Sequence, residues 1–114
     1  MARVVAYVPD LLFGSNVLGM LQAGGHEAKL ASQPGPVEEG TDVLVVDLTA
    51  DAAERIEHVR ALELDPGTTR VLAFYSHVEA DVRAQAEQAG FDLVVPRSRM
   101  AREGAQLVQR LSER

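Results

Sequence analysis

Few side chains in this sequence stand where chemistry could gather. Asp42-Val43-Leu44-Val45-Val46-Asp47-Leu48 is an apolar run with an acid near its C-terminal end. A carboxylate there can cap the helix that follows or hydrogen-bond its own loop. Asp10 follows the first apolar run behind Pro9, and Tyr75-Ser76-His77 ends a later one. Arg97-Ser98-Arg99 opens the last helical segment. Two guanidinium groups beside a helix N-terminus have the makings of an anion site. The plainer alternative is that Ser98 is an N-cap and the arginines are solvated. Gly14-Ser15-Asn16 is a small-residue turn ahead of a helix, whose backbone N–H groups can cradle a phosphate, or it is simply a cap. It is neither a three-glycine dinucleotide fingerprint nor a P-loop, since no lysine follows. Gly14, Ser15 and Ser98 are thus the candidate anion-binding positions.

The same inventory excludes much. His26, His58 and His77 share no metal-ligand spacing, and the chain has no cysteine, so neither a thiolate metal site nor a disulfide framework is expected. There is no Gly-x-Ser-x-Gly elbow, and Ser76-His77 with Asp47 is not a triad without the geometry and roles of one. Convergent acid–base groups are missing, so we expect no enzyme, no metal and no cofactor. The chain has 114 residues and a net charge of −6, which argues against nucleic acid as a partner. No apolar run approaches a membrane span, and the N-terminus lacks the layout of a signal peptide. The expected location is the cytoplasm, which the absence of cysteine suits.

The elements that must position these residues alternate. Arg3 to Val8 is a β-branched apolar run of the kind buried on both faces of a parallel sheet. Leu11 to Ala23 is helical, with Leu11, Val17, Leu18 and Leu21 at helical spacing and Gly24-Gly25 as the stop; Ser15 could be its cap, with Asp10 to Gly14 a loop. Glu27 to Ala31 is a short strand. Gln33-Pro34-Gly35-Pro36 is a turn or loop, and too few residues remain before the next strand for a full helix. After the Asp42–Leu48 strand comes a helix over 51–64, capped by Thr49 or Asp51, then a turn at Asp65-Pro66-Gly67. Arg70 to Tyr75 is a strand, Glu79 to Ala89 a helix with Val82, Ala86 and Ala89 inward, and Leu93 to Val95 a strand. Ser98 caps a last helix with Met100, Leu107, Val108 and Leu111 as its apolar stripe. The order β-α-β-loop-β-α-β-α-β-α predicts a single α/β domain over residues 1–114. Its doubly wound, flavodoxin-like parallel sheet has five strands in order 2-1-3-4-5, with the functional rim at the C-terminal ends of strands 1 and 3.

At this level the chain resembles a response-regulator receiver domain along nearly its whole length. The Asp42–Leu48 stretch resembles the family's third strand, with Asp47 on its phosphate-accepting aspartate. Arg70-Val71-Leu72-Ala73-Phe74-Tyr75-Ser76-His77 resembles the fourth, which normally ends in Thr or Ser. Ala86-Glu87-Gln88-Ala89-Gly90-Phe91-Asp92 is similar to the family's "ALEAGAD", and Val94-Val95-Pro96-Arg97-Ser98 sits where "LTKP" stands. The departures bear on function. The two metal-holding acids of the first strand are Val8 and Pro9 here, with Asp10 displaced. The Thr or Ser position is Tyr75, or Ser76 after a one-residue shift. Arg97 replaces the lysine, Val94 the aromatic switch, and helix 2 is short or missing.

The resemblance therefore implies an atypical or pseudo-receiver: a signalling module that acts by protein–protein interaction, without Mg²⁺-dependent phosphorylation. The alternatives are a receiver that takes phosphate at Asp47, and a small-ligand or nucleotide-binding α/β domain. Asp10, Tyr75, Ser76, His77 and Arg97 are the rim residues around Asp47, and Arg97 is expected to pair with Asp47, since guanidinium matches carboxylate geometry. The partner is another protein or a second copy. The resemblance points to a weak homodimer through the family's helix 4–strand 5–helix 5 face, where Glu79, Asp81 and Glu87 stand near Arg99, Arg102, Arg110 and Arg114.

Overall fold

The structure is a computed structural model that describes residues 1–33, 35–76 and 78–113; Pro34, His77 and Arg114 lie outside the described residues. Its elements in chain order are β1(Arg3–Tyr7), α1(Leu11–Ala23), β2(Glu27–Ala31), β3(Val43–Asp47), α2(Ala52–Ala61), β4(Arg70–Tyr75), α3(Ala80–Gln88), β5(Leu93–Pro96) and α4(Arg97–Ser112). The strands pair in parallel in the order β2-β1-β3-β4-β5. That is the flavodoxin-like order. Residues 32–42 join β2 to β3 without a helix among the described residues. Among the described residues there are accordingly four helices, not the five that the family's "helix 5" implies. The last two are α3 and α4.

The period of two along each strand sorts the core into two layers. Val4, Ala6, Val43, Val45, Leu72, Phe74 and Val95 face α1 and α4. Tyr7, Leu44, Val46, Val71, Ala73, Tyr75 and Val94 face α2 and α3. Both faces are covered at the centre, so all five residues of β3 are buried and the strand reads as unbroken apolar sequence. The edge strand β2 is half-exposed and carries charge, with Lys29 paired to Glu38 at 3.3 Å. Charge on an edge discourages pairing with another chain.

Several helix ends differ from their sequence reading. Asp10, not Ser15, caps α1: its Oδ1 accepts from Phe13 N–H at 2.9 Å, so the helix begins at Leu11. Leu11 does not face the core but is 80% exposed; Gly14, Val17 and Leu21 are the buried positions of α1. A Cβ on Gly14 would stand 3.2 Å from the Val8 carbonyl, so the missing side chain lets α1 approach the sheet. Ser98 does not cap α4. β5 runs into the helix through Pro96, which holds the N-cap position in extended conformation and leaves Ser98 in the first turn. The apolar stripe of α4 is as expected, with Gly104 added to Met100, Leu107, Val108 and Leu111.

The α1–α4 layer is close-packed. A Cβ on Gly24 would lie 2.6 Å from that of Ala105. Beside this contact sits His26, which is 5% exposed. Its Nδ1 accepts from Ala2 N–H at 3.1 Å, and its Nε2 lies 3.0 Å from the Ala105 carbonyl oxygen. The first bond requires a lone pair on Nδ1, so the proton is on Nε2 and donates to Ala105. One imidazole thus ties the start of the sheet to the middle of α4. His26→Ala should cost about 1–3 kcal/mol, because it strands a buried backbone N–H. Urea unfolding measures this, and an unchanged midpoint would show that the clamp contributes nothing.

Candidate functional site

β3 delivers Asp47 to the C-terminal edge of the sheet, opposite Phe74 of β4. The residue is 3% exposed. Burying a carboxylate is costly unless it is hydrogen-bonded and its charge is met. Both conditions are satisfied locally. Oδ1 accepts from Thr49 N–H at 2.8 Å and from the Thr49 hydroxyl at 2.5 Å. Oδ2 lies 3.6 Å from Arg55 Nη1, and the same nitrogen donates to the Asp47 carbonyl oxygen at 2.9 Å. Arg55 sits in the first turn of α2, its guanidinium 5.9 Å from the centre of the Tyr7 ring and its side chain only 14% exposed. Because β3 leads into α2 through a short loop, the first turn folds back over the strand end. Asp51, the residue before α2, takes a left-handed conformation with φ 49° to make that turn.

Arg97 does not pair with Asp47. Its Cζ stands 4.0 Å from the centre of the Phe13 ring, and Phe13 in turn lies 5.2 Å from Phe74. The reason is geometric. β4 separates β5 from β3, two strand spacings or about 9.6 Å, whereas the face of Phe13 offers a nearby site for a cation. Asp10 is committed to capping α1. Tyr75 is buried in the α2–α3 layer, and Ser76 contributes its carbonyl oxygen to the Glu79 N–H at 2.9 Å. His77 lies outside the described residues. Gly14 and Ser15 do not form a turn ahead of a helix: they are inside α1, with the Gly14 N–H donating to the Asp10 carbonyl at 2.7 Å. Ser98 is exposed on α4. On the last two helices, Arg83 pairs with Glu87 and Arg99 with Glu103, each along its own helix.

The rim therefore brings together Asp47, Thr49 and Arg55, and of these the sequence reading singled out only Asp47 as a rim residue. Arg55 had a signal. It follows Asp47 by eight residues across a short loop and flanks the inward positions Ile56 and Val59 of an amphipathic helix. The donor set does not fit the Mg²⁺ that a receiver resemblance implies. Mg²⁺ requires near-octahedral oxygen ligands. Here Val8 and Pro9 offer no side-chain oxygen, Asp10 caps a helix, and both Asp47 oxygens face Thr49 or Arg55. Among the described residues no group of three or more His, Cys, Asp or Glu could hold a metal ion.

Removing either arginine separates their roles. Arg55→Ala leaves a buried carboxylate without its cation and should cost about 1–3 kcal/mol. Arg97→Ala loses only an exposed contact with Phe13, worth about 0.5–1 kcal/mol. Chemical unfolding of both variants tests the order, and an equal or reversed effect would contradict this geometry.

No family model matches the sequence, and no curated protein does. Solved structures do match the fold. A response-regulator receiver protein from Burkholderia phymatum superposes with a TM-score of 0.80 at 20% identity, over 99% of this chain and 96% of that one. A receiver domain from Clostridium thermocellum gives 0.81 at 15% identity, over 99% and 95%. A response regulator from Thermotoga maritima gives 0.78 at 15% identity, over 100% and 99%. The chain has the fold of response-regulator receiver domains.

Proposed function

We propose that this chain is a receiver-like signalling module that binds a protein partner, without Mg²⁺-dependent phosphorylation of Asp47 and without catalysing a reaction. The observation that carries this reading is the Arg55–Asp47 pair. Transfer of a phosphoryl group to a carboxylate needs a free nucleophilic oxygen and a metal ion to neutralise the developing charge. Here a guanidinium already neutralises the carboxylate, and it cannot be removed by deprotonation. Incoming phosphate would have to displace either Arg55 from Oδ2 or both Thr49 hydrogen bonds from Oδ1. A charge held this way fixes the rim in one state, and recognition then falls to the surface. The acidic balance of the chain favours a protein over nucleic acid or a membrane surface. No helix among the described residues is long and apolar enough to cross a membrane, and we place the module in the cytoplasm.

Self-association through the α3–β5–α4 face accompanies this reading. Arg102 and Arg110 are exposed there and form no ion pair among the described residues, while α3 presents Asp81 behind Glu79. A two-fold axis would set each patch against its complement. Exposed pairs contribute only about 0–1 kcal/mol each, so such a dimer is weak.

Titration of the labelled protein with Mg²⁺ and beryllofluoride, followed by amide NMR, should leave Asp47 and Thr49 unshifted. Incubation with Mg²⁺ and acetyl phosphate should leave the intact mass unchanged. A saturable response or a phosphoryl adduct would establish the alternative, a receiver that accepts phosphate at Asp47. Sedimentation over a range of concentrations should show weak dimerisation that Arg102→Glu and Arg110→Glu abolish. A strictly monomeric wild type removes the self-association.

A further inference from the structure

Away from Asp47, the missing helix leaves its own mark. Between the β1–β2 side of the sheet and α2, beside Gln33 and residues 35–37, lies a cavity of about 100 Å³. Val5, Tyr7, Val37, Leu44, Val59 and Leu62 line it. Tyr7 is 6% exposed, and none of the described residues hydrogen-bonds its hydroxyl. Pro36, Val37 and Leu62 also line an adjacent open groove of about 780 Å³ along the loops before β3 and after α2. The groove is lined by Glu38, Glu39, Asp42, Glu63 and Asp65, and by no lysine or arginine. Glu38 is already engaged by Lys29 and Arg3. The other four carboxylates have no ion-pair partner among the described residues.

The geometry points to a docking site for a basic segment of a partner protein: one aliphatic side chain enters the cavity while flanking Lys or Arg residues lie in the acidic groove. Size and charge select this occupant together. A void of about 150 Å³ accepts benzene, so one of about 100 Å³ suits a leucine-sized group. Four carboxylates with no cation of their own complement a cationic chain, and would speed its encounter and fix its register. Tyr7 and Gln33 are the polar side chains among the lining residues. The cavity is lined by neither Asp47 nor Arg55, although the Arg55 guanidinium stands 5.9 Å from the centre of the Tyr7 ring.

This inference rests on the reading of the chain as a partner-binding module, but not on the fate of Asp47. The test is amide NMR titration of the full chain with the peptide Lys-Lys-Leu-Lys-Lys. Saturable shifts are expected at Val37, Glu39, Leu62 and Glu63. Replacing the peptide's leucine by glycine should weaken binding about tenfold or more, as expected for losing one buried aliphatic side chain. The exposed double variant Glu39→Lys with Glu63→Lys should lose binding while keeping the fold. The proposal is overturned by absent or non-saturable shifts, by shifts centred elsewhere, or by a glycine peptide that binds as well as the leucine one. Peptide silence together with beryllofluoride silence sinks the groove alone. Peptide binding together with a phosphorylated Asp47 keeps the groove and sinks the phosphate-independent reading.

Discussion

A parallel sheet must be covered on both faces, and the described residues of this chain form four helices with which to do it. Two of them, α1 and α4, close one face by direct helix–helix contact: Gly24 meets Ala105, and Met20 packs over Gly104. The other face receives α2 and α3, which lie over the β3–β4–β5 side. The β1–β2 side of that face is left to a loop. The unequal cover dictates the character of each layer. Where helices meet, the packing admits no added carbon; where the loop substitutes for a helix, an apolar cavity remains.

The same topology sets the electrostatics of the rim. β3 is central and fully buried, so whatever stands at its C-terminal end is buried too, and here that is Asp47. A buried carboxylate has to find its counter-charge from the element that follows most directly. The short connection to α2 places Arg55 within reach, whereas Arg97 must cross from β5 and instead meets Phe13. The choice between two arginines was decided by chain path. Arg55 also has the stronger hold: it bridges the carboxylate and the main-chain oxygen of the same residue, so the pair resists rotation of either side chain.

Much of the fold was legible because hydrophobic periodicity reports burial directly. The continuous run Val43 to Val46 marked the central strand, the stripe Met100–Leu107–Val108–Leu111 marked the last helix, and the short span after Gln33 left no room for another. Helix starts were less legible, since Asp10, Ser15 and Ser98 are all competent caps and only the path of the preceding strand chooses among them. Asp10 won because the chain turns immediately after Pro9; Ser98 lost because Pro96 brings β5 straight into α4. Leu11 misled because spacing specifies a face of a helix and not how far the sheet extends beneath it. His26 entered the sequence reading only as a histidine without metal-ligand spacing; its double hydrogen bond joins positions 2 and 105, a relation no local pattern encodes.

These features divide the molecule by rigidity. On the α1–α4 face, glycine contacts and the His26 clamp fix the helices against the strands, so a displacement of α4 would break specific bonds to the start of β1. On the opposite face, the atoms of Val37 and Leu62 that line the cavity have fewer neighbours than those of the close-packed layer. Tyr7 spans both situations. Its strand is held by β2 and β3, its ring touches the cavity, and Arg55 stands against that ring. Tyr7 is thus a residue that the loosely covered face and the surroundings of Arg55 share.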